Sequence, residues 1–377
     1  MKIRGVNLGN WLVLEKWMSP DLFFGLRAED ETYFCRELPE KELEARLNIH
    51  RSYYITERDF ACIAGRGLNA VRIPVPYFIF GDCKPFLGCV DYLDKAFSWA
   101  EKYGLKILID LHTAPDSQNG FDNGGICGVC KWAGQDEKVE FVLALLEKLA
   151  ERYAARSGLW GIEILNEPIS EELWVRADIP NRYPAVDKEY AKGSQPVSSA
   201  FLREFYTRAY FRLRKHLKED KAVVFHDGFR LTEWKNFMRG AEFKNVVLDT
   251  HFYFMALDAA GKPYTLKDAA AFVENTLAKN VAEMQKYFPV IGGEWCLSCS
   301  AEELKENLAG PVNSKKLKCI YQEIARIQLS VWEKASGWFY WNYKLLLDTV
   351  NVPEKRGMDS WDLGKCFDMG WFPKVED

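Results

Sequence analysis

The sequence predicts a closed (β/α)8 TIM barrel, a ring of eight parallel strands surrounded by helices. Short apolar runs alternate with amphipathic stretches along the whole chain, which is typical of a parallel α/β fold. Eight runs qualify as strands, and no glycine-rich dinucleotide-binding pattern follows the first, so a barrel is favoured over an open doubly wound sheet. A chain of 377 residues suits one barrel with long loops, since such barrels often exceed about 250 residues. We therefore expect residues 1–377 to form a single domain.

Each predicted strand is a short, mostly apolar run bounded by polar or turn-forming residues. In chain order the strands span residues 2–8, 70–74, 106–111, 161–165, 222–225, 246–250, 290–293 and 337–341. Between them, apolar residues recur at spacings of three and four, which predicts helices over 139–153 and 273–284, among others.

Composition and charge narrow the class of protein. With 48% hydrophobic and 28% charged residues the chain is an ordinary globular one, which excludes disordered, collagen-like and membrane-spanning classes. Its 50 basic and 54 acidic residues give a net charge of −4, which supplies no attraction to nucleic acid or to an anionic membrane. The N-terminal residues lack the pattern of a secretory signal. We expect a cytoplasmic protein whose partner is a small neutral molecule.

Ten cysteines are too few for a disulfide scaffold, and a cytoplasmic chain keeps its thiols reduced. Two C-x-x-C pairs, Cys127 with Cys130 and Cys296 with Cys299, have a spacing that zinc ligands use. They follow predicted strands three and seven, on opposite sides of the barrel. We expect free thiols, with zinc binding or a redox pair as the alternatives.

Polar residues cluster at the carboxyl ends of the predicted strands. Three of the five histidines, His112, His226 and His251, end strands three, five and six. Singly, each could be a buried structural residue, but leaving such groups unpaired costs about 1–3 kcal/mol each. A shared site at this face of the barrel explains them together, because barrel enzymes build their sites there. Polar insertions over 20–52, 119–136 and 169–196 follow strands at the same face.

Two carboxylates stand out at this face. Glu167 follows the apolar strand over 161–165, and Glu294 follows the strand over 290–293. A pair of carboxylates suits cleavage of a glycosidic bond, because one donates a proton to the leaving oxygen while the other attacks or stabilises the sugar carbon. Aromatic residues, asparagines and histidines beside them can bind the faces and hydroxyls of a sugar. The site therefore looks like one for a carbohydrate.

Several ordered motifs resemble glycoside hydrolase family five, and within it the exo-β-1,3-glucanase and β-glucosidase branch. The matching stretches begin with Arg4-Gly5-Val6-Asn7-Leu8-Gly9-Asn10-Trp11-Leu12-Val13-Leu14-Glu15 and continue through Asn69-Ala70-Val71-Arg72-Ile73-Pro74, Asp110-Leu111-His112, Ser117-Gln118-Asn119-Gly120-Phe121-Asp122-Asn123, Leu165-Asn166-Glu167-Pro168, His251-Phe252-Tyr253, Gly293-Glu294-Trp295 and Gly337-Trp338-Phe339-Tyr340-Trp341. A lone Asn-Glu-Pro is a weak signal, but the set in this order is specific.

The resemblance implies a retaining glycosidase with Glu167 as acid/base and Glu294 as nucleophile, and with no cofactor or metal. Arg72 should keep Glu294 ionised, and the neighbouring negative charge should raise the pKa of Glu167.

By the same resemblance other residues bind the sugar or brace the carboxylates. Asn166 would bond the sugar 2-hydroxyl and Tyr253 would orient the nucleophile, while Phe121 would form one side of an aromatic entrance. Bracing and sugar-binding roles fall to Arg72, His112, His251, Glu15, Asp122, Asn123 and Trp341, the last as a platform under the innermost sugar.

Two positions depart from that branch. Ala256 stands where the branch has a second entrance aromatic, and Tyr343 stands where the strand-eight motif ends in tryptophan. Half of the entrance clamp is expected to be missing, so a β-glucosidase of small, aryl, saponin or diglycoside substrates is an alternative to a β-1,3-glucanase.

Two other classes of protein are alternatives to a retaining glycosidase. A metal-dependent barrel hydrolase would use the histidines as ligands, but it would have a His-x-His motif on strand one, where this chain has Asn7-Leu8-Gly9. A non-catalytic sugar-binding barrel would be expected to have lost Glu167 or Glu294, and both are present.

Overall fold

A computed structural model of the protein describes residues 2–259, 261–308 and 314–375, with backbone only at 353 and 354. Eight parallel strands close into one barrel in chain order, the eighth pairing with the first. The strands are β1 (Ile3–Asn7), β2 (Ala70–Val75), β3 (Lys106–Leu111), β4 (Leu159–Glu163), β5 (Ala222–His226), β6 (Val246–His251), β7 (Val290–Glu294) and β8 (Gly337–Tyr340). The predicted (β/α)8 fold is confirmed.

The largest shift from the predicted boundaries is in β4, which ends two residues before the predicted end. Ile164 and Leu165 follow the last residue of the strand and are fully buried, and the Ile164 N–H still donates to the Val224 carbonyl of β5 at 2.9 Å. Their apolar character reflects burial in the core, which hydrophobic patterning alone does not distinguish from membership of a strand.

Helices surround the barrel between the strands. They are α1 (Glu31–Glu37), α2 (Glu40–Tyr53), α3 (Glu57–Gly65), α4 (Val90–Tyr103), α5 (Asp136–Tyr153), α6 (Glu171–Arg176), α7 (Ile179–Arg182), α8 (Ser199–Arg214), α9 (Met255–Asp258), α10 (Leu266–Phe272), α11 (Ala278–Met284), α12 (Glu302–Leu308), α13 (Lys315–Trp332) and α14 (Leu363–Asp368). The helix predicted over 273–284 is present, with a π-helical segment at Val273–Leu277 between α10 and α11. Among the described residues, no helix is both long and apolar enough to cross a membrane.

The barrel interior is built in layers, because side chains two apart on a strand point to the same side. A lower layer is apolar and contains Leu108, Val247 and Phe339, among others. Two residues further along their strands, Asp110 and Asp249 are fully buried in the next layer. The members of that polar layer are Asn7, Arg72, Asp110, Glu163, His226 and Asp249. A charged layer therefore lies directly beneath the open face of the barrel.

The first predicted insertion packs on loops at the carboxyl ends of the strands, although none of its residues lines the cavity at that face. It contains α1 and α2, whose Phe34, Leu43 and Leu47 form a separate apolar cluster with Phe78 of the loop after β2. Leu43 and Leu47 are four residues apart on one helix face, a pattern that the polar composition of the segment hides. Asp30 at its start accepts the Cys127 N–H at 2.9 Å, so the segment supports the loop after β3.

Candidate active site

The residues proposed from the sequence converge on one cavity of about 1370 Å³ at the carboxyl ends of the strands. Glu294 is the last residue of β7 and His251 the last of β6. Glu167 lies four residues past the end of β4 and has a positive φ of 45°, a rare backbone conformation for a side chain of this size. The proposed residues that line the cavity are Glu15, Phe121, Asp122, Asn123, Glu167, His251, Tyr253, Glu294 and Trp341. The other three, Arg72, His112 and Asn166, lie fully buried beneath it.

Glu294 is held by three groups. Arg72 Nη1 donates to Oε1 at 2.9 Å, and the Tyr253 hydroxyl donates to Oε2 at 2.8 Å. His251 Nδ1 lies 3.5 Å from Oε2. Burial, together with the charge of Glu167, raises the pKa of Glu294 despite the cations beside it. Burial and the Glu294 charge also raise the pKa of the Tyr253 hydroxyl well above its ordinary value, so that hydroxyl remains a donor.

Glu167 is held by two donors. His251 Nδ1 lies 2.8 Å from Oε1, and Asn123 Nδ2 donates to Oε2 at 3.0 Å. Burial opposes ionisation of Glu167, but the hydrogen bond and charge of His251 outweigh it and lower the pKa. The sequence predicts Asn123 as a sugar ligand. The structure places it on this carboxylate.

These pKa directions are opposite to those expected from the sequence, and His251 is the reason. Burial disfavours the charged imidazole, but the charges of Glu294 and Asp249 and the bond to Glu167 raise the pKa of His251 well above its usual value. The charges around it therefore favour the protonated form of His251, which lies between the two glutamates. The sequence could not show this, because the shift depends on distances between residues from different strands.

Arg72 is the cation at the centre of the polar layer. Besides Glu294, its guanidinium donates to Glu163 at 2.8 Å, to Asn7 Oδ1 at 3.0 Å and to Asn166 Oδ1 at 2.8 Å. Burial disfavours its charge, but the surrounding carboxylates raise its pKa well above the ordinary value. A permanent positive charge is therefore fixed beneath Glu294.

The floor of the cavity combines an aromatic face with buried carboxyls. The Trp341 ring stacks on His112, with centroids 5.6 Å apart and planes at 9°, and His112 Nδ1 lies 2.5 Å from Asp110. Glu15 Oε2 accepts from Trp17 Nε1 at 2.8 Å.

The carboxyls at the pocket floor are unusually hard to ionise. Burial, followed by the charge of Asp122, raises the pKa of Glu15 well above its ordinary value. Burial likewise raises the pKa of Asp122 to about 6. These carboxyls can accept or donate hydrogen bonds to sugar hydroxyls.

The other side of the cavity has an apolar wall that the sequence predicts only in part. Phe121 packs against Tyr183 with centroids 5.2 Å apart, and Tyr183 comes from the 169–196 insertion. Phe229 and Ala256 also line this side. Tyr183 and Phe229 lie in irregular loops, so no periodicity signals them, although the insertion was expected at this face. Tyr343 lies outside the lining of the cavity.

Two groups of carboxylates and histidines are close enough to share a cation among the described residues, namely Glu167 with His226 and His251, and Glu163 with Asp249 and His251. The first is unsuited to a metal because His226 Nδ1 accepts the Gly228 N–H at 2.9 Å. The ring must then carry its proton on Nε2, the only nitrogen left for a ligand bond. The second group lies against the guanidinium of Arg72.

The cysteines show neither a disulfide nor a cluster of ligands. All ten are unpaired in the structure. Neither C-x-x-C pair joins a group of three possible metal ligands within the described part of the chain.

Sequence comparison relates the chain to known proteins over almost its whole length. The sequence model of the Cellulase family, glycosyl hydrolase family 5, matches residues 39–345. A protein of Emericella nidulans named probable glucan 1,3-beta-glucosidase A is 34% identical, covering 99% of this chain and 90% of its own. The glucan 1,3-beta-glucosidase of Kluyveromyces lactis is 30% identical over 99% of this chain and 89% of its own.

Solved structures share the fold. Rutinosidase from Aspergillus niger superposes with a TM-score of 0.75 at 19% identity, covering 98% of both chains. Endoglucanase Cel5A from Thermotoga maritima superposes with a TM-score of 0.55 at 15% identity, and the match covers 97% of this chain and 96% of the endoglucanase chain. Together with the paired carboxylates at the barrel mouth, these matches show that the chain belongs to glycosyl hydrolase family 5 and is a glycoside hydrolase.

Proposed function

We propose that the protein is an exo-acting β-glucosidase that releases glucose from the non-reducing end of β-glucosides with retention of configuration. His251 Nδ1 carries the argument for retention, since it lies 2.8 Å from Glu167 and 3.5 Å from Glu294. The contacted oxygens of the two glutamates are therefore at most about 6.3 Å apart, which supports the close pairing of retaining enzymes over the roughly 6.5–9.5 Å of inverting ones. Such a pair favours attack by Glu294 itself over attack by a water molecule.

The first chemical step joins the sugar to Glu294. Its carboxylate, held by Arg72 and Tyr253, attacks the anomeric carbon while Glu167 donates a proton to the glycosidic oxygen. The carbon–oxygen bond to the leaving group breaks, and the leaving group departs as an alcohol. In the second step Glu167 accepts a proton from a water molecule, which attacks the same carbon, releases glucose and regenerates Glu294.

His251 supplies the proton that Glu167 needs in the first step. The proton is held on His251 partly by the negative charge of Glu294, and that charge disappears as Glu294 forms its bond to the sugar. The affinity of His251 for the proton then falls, which favours transfer over 2.8 Å to Glu167. Proton transfer is thereby coupled to nucleophilic attack.

Substrate length follows from the shape of the cavity. Glu15, Asp122 and Trp341 close around the innermost sugar, which favours action at a chain end. The leaving-group side is roomy, since the whole cavity of about 1370 Å³ exceeds the roughly 300–1,000 Å³ typical of small-molecule sites. Ala256 adds no bulk there. Aryl glucosides and diglycosides with bulky leaving groups should therefore be accepted as substrates at least as well as the β-1,3-glucan suggested by the names of the relatives.

The test is a screen of purified protein against nitrophenyl glycosides and β-linked glucose disaccharides, with proton NMR of the first-formed sugar. We expect β-glucose as the initial product, a covalent adduct of a 2-deoxy-2-fluoroglucoside on Glu294, and no turnover by E294A that keeps the wild-type melting temperature. Release of α-glucose, an adduct on another carboxylate, or oligosaccharides cut from the middle of a glucan would contradict the proposal.

A cytoplasmic location is part of the same proposal. It is supported by the ten unpaired cysteines, because reduced thiols are typical of chains that work in reducing compartments. Thiol titration of denatured protein prepared without reductant or air should find close to ten free thiols. Stoichiometric disulfides would contradict the proposed location.

A further inference from the structure

The pairing of β6 with β7 is irregular at the residue before Glu294. Thr250 pairs with Gly292 and His251 pairs with Glu294, so Gly293 is an extra residue in β7. Such a bulge leaves its extra residue out of the ladder and changes the direction of the side chain that follows. Asp249 accepts the Gly293 N–H with Oδ1 at 2.6 Å. A side chain therefore holds the bulge that aims Glu294 into the cavity.

Gly293 has no room for a side chain, because Asp249 occupies the space. A Cβ atom at this position would lie 1.9 Å from Asp249 Oδ2, far inside van der Waals contact. The carbonyl of Gly293 accepts from Asn7 Nδ2 at 2.8 Å. Side chains from two different strands thus fix both polar groups of this residue.

The second oxygen of Asp249 faces the other half of the catalytic pair. Oδ2 lies 3.6 Å from His251 Nε2 and 4.0 Å from Arg72 Nε, and Asp249 is fully buried. The opposite nitrogen of His251, Nδ1, lies 2.8 Å from Glu167. An anion behind Nε2 favours the ring orientation and the protonation state that direct an N–H to Glu167.

We propose that Asp249 is a positioning residue for both catalytic glutamates, acting on Glu294 through the backbone of Gly293 and on Glu167 through the ring of His251. The roles of the two glutamates are those of the proposed function, on which this inference rests. Asp249 itself lies in the interior layer beneath the cavity and does not line it.

Two substitutions separate the two routes. D249N keeps an oxygen to accept the Gly293 N–H but removes the charge behind His251, whereas D249A removes both. The matched control is D110N, which changes a buried carboxylate of the same layer that faces Arg72 at 3.2 Å and bonds His112. Melting temperatures establish that each variant is folded. If D249A does not fold, D249N decides the test.

Substrate dependence is the first readout. D249N should lose roughly tenfold or more in kcat/KM on phenyl and alkyl glucosides, which need a proton, and little on 2,4-dinitrophenyl glucoside, which does not. D249A should also lose kcat/KM on the dinitrophenyl substrate, on the order of a hundredfold. Its trapping by a 2-deoxy-2-fluoroglucoside should be slower as well, because the nucleophile is misplaced.

The second readout is the proton on His251. The groups that face it are Glu167, Glu294, Asp249, Glu163 and the neutral His226, whose ring centroid is 4.3 Å away. Removing the Asp249 charge should move the alkaline limb of the activity profile to lower pH and shift the ring nitrogen resonances of His251. The inference would be overturned if D249N and D249A behaved like D110N in all three measurements, namely substrate dependence, pH profile and His251 resonances. An inactive wild type would contradict the proposed function, and the resonances would still test the contact with Asp249.

Discussion

The hydrogen bond from Tyr253 to Glu294 allows a quantitative prediction. Y253F removes one hydroxyl that donates to Glu294 Oε2 at 2.8 Å and leaves the ring, which packs on Trp361 with centroids 5.2 Å apart. A hydrogen bond to a charged group contributes about 1.5–3 kcal/mol, and each ~1.4 kcal/mol is a tenfold change in rate. We expect kcat/KM to fall by roughly 10- to 150-fold, with Arg72 still holding Oε1.

The assay is kcat/KM for 4-nitrophenyl β-glucoside across pH, with the rate of trapping by a 2-deoxy-2-fluoroglucoside. Losing a donor to the ionised form raises the pKa of Glu294, so the acidic limb of the profile should move to higher pH. Y264F is the control, since its hydroxyl bonds Asp258 and the Ser300 N–H away from the catalytic glutamates. Wild-type trapping and an unmoved acidic limb in folded Y253F would refute the reasoning.

Three further changes test other parts of the structure. E167A should keep much of its activity on dinitrophenyl glucosides but lose it on ordinary glycosides, and equal losses on both would contradict the acid/base role. F121A removes one face of the pair with Tyr183. It should lower kcat/KM for aryl glucosides roughly tenfold, and an unchanged value would contradict stacking on the leaving group. Burial raises the pKa of Glu31 from 4.5 to about 7, so the free energy of unfolding should fall as pH rises through that range. E31Q should flatten this fall, as measured by denaturant unfolding at pH 5 and pH 8, and the same slope as wild type would contradict it.

The barrel and the positions of Glu167 and Glu294 at its open face could be predicted because their signals are local. A strand buried on both faces must be apolar along its length, so Val290 and Ile291 mark β7 regardless of what surrounds them. A glutamate directly after such a strand, as at Glu294, is visible for the same reason. The ordered motifs then led to the family, since they recur in chain order at strands and at the loops that follow them.

The contacts made by loop residues could not be predicted, because irregular segments have no hydrophobic periodicity that would indicate their path. Tyr183 reaches Phe121 only because the 169–196 insertion folds back over the cavity, and neither spacing nor composition specifies that path. The bond from Asn123 to Glu167 was likewise not expected, because it depends on the loop after β3 bringing this amide to the carboxylate.

The strand order, the barrel class and the residues that reach the open face are encoded in periodicity and chain order, so they can be predicted without coordinates. The favoured protonation of His251 and the direction of the Glu294 side chain arise only in the folded barrel. The charge on His251 depends on carboxylates from the loop after β4 and from β6 and β7, within 2.8–3.6 Å, and the bulge at Gly293 depends on the side chain of Asp249. Both are sums of interactions between distant parts of the chain, and their strength is set by distance and burial.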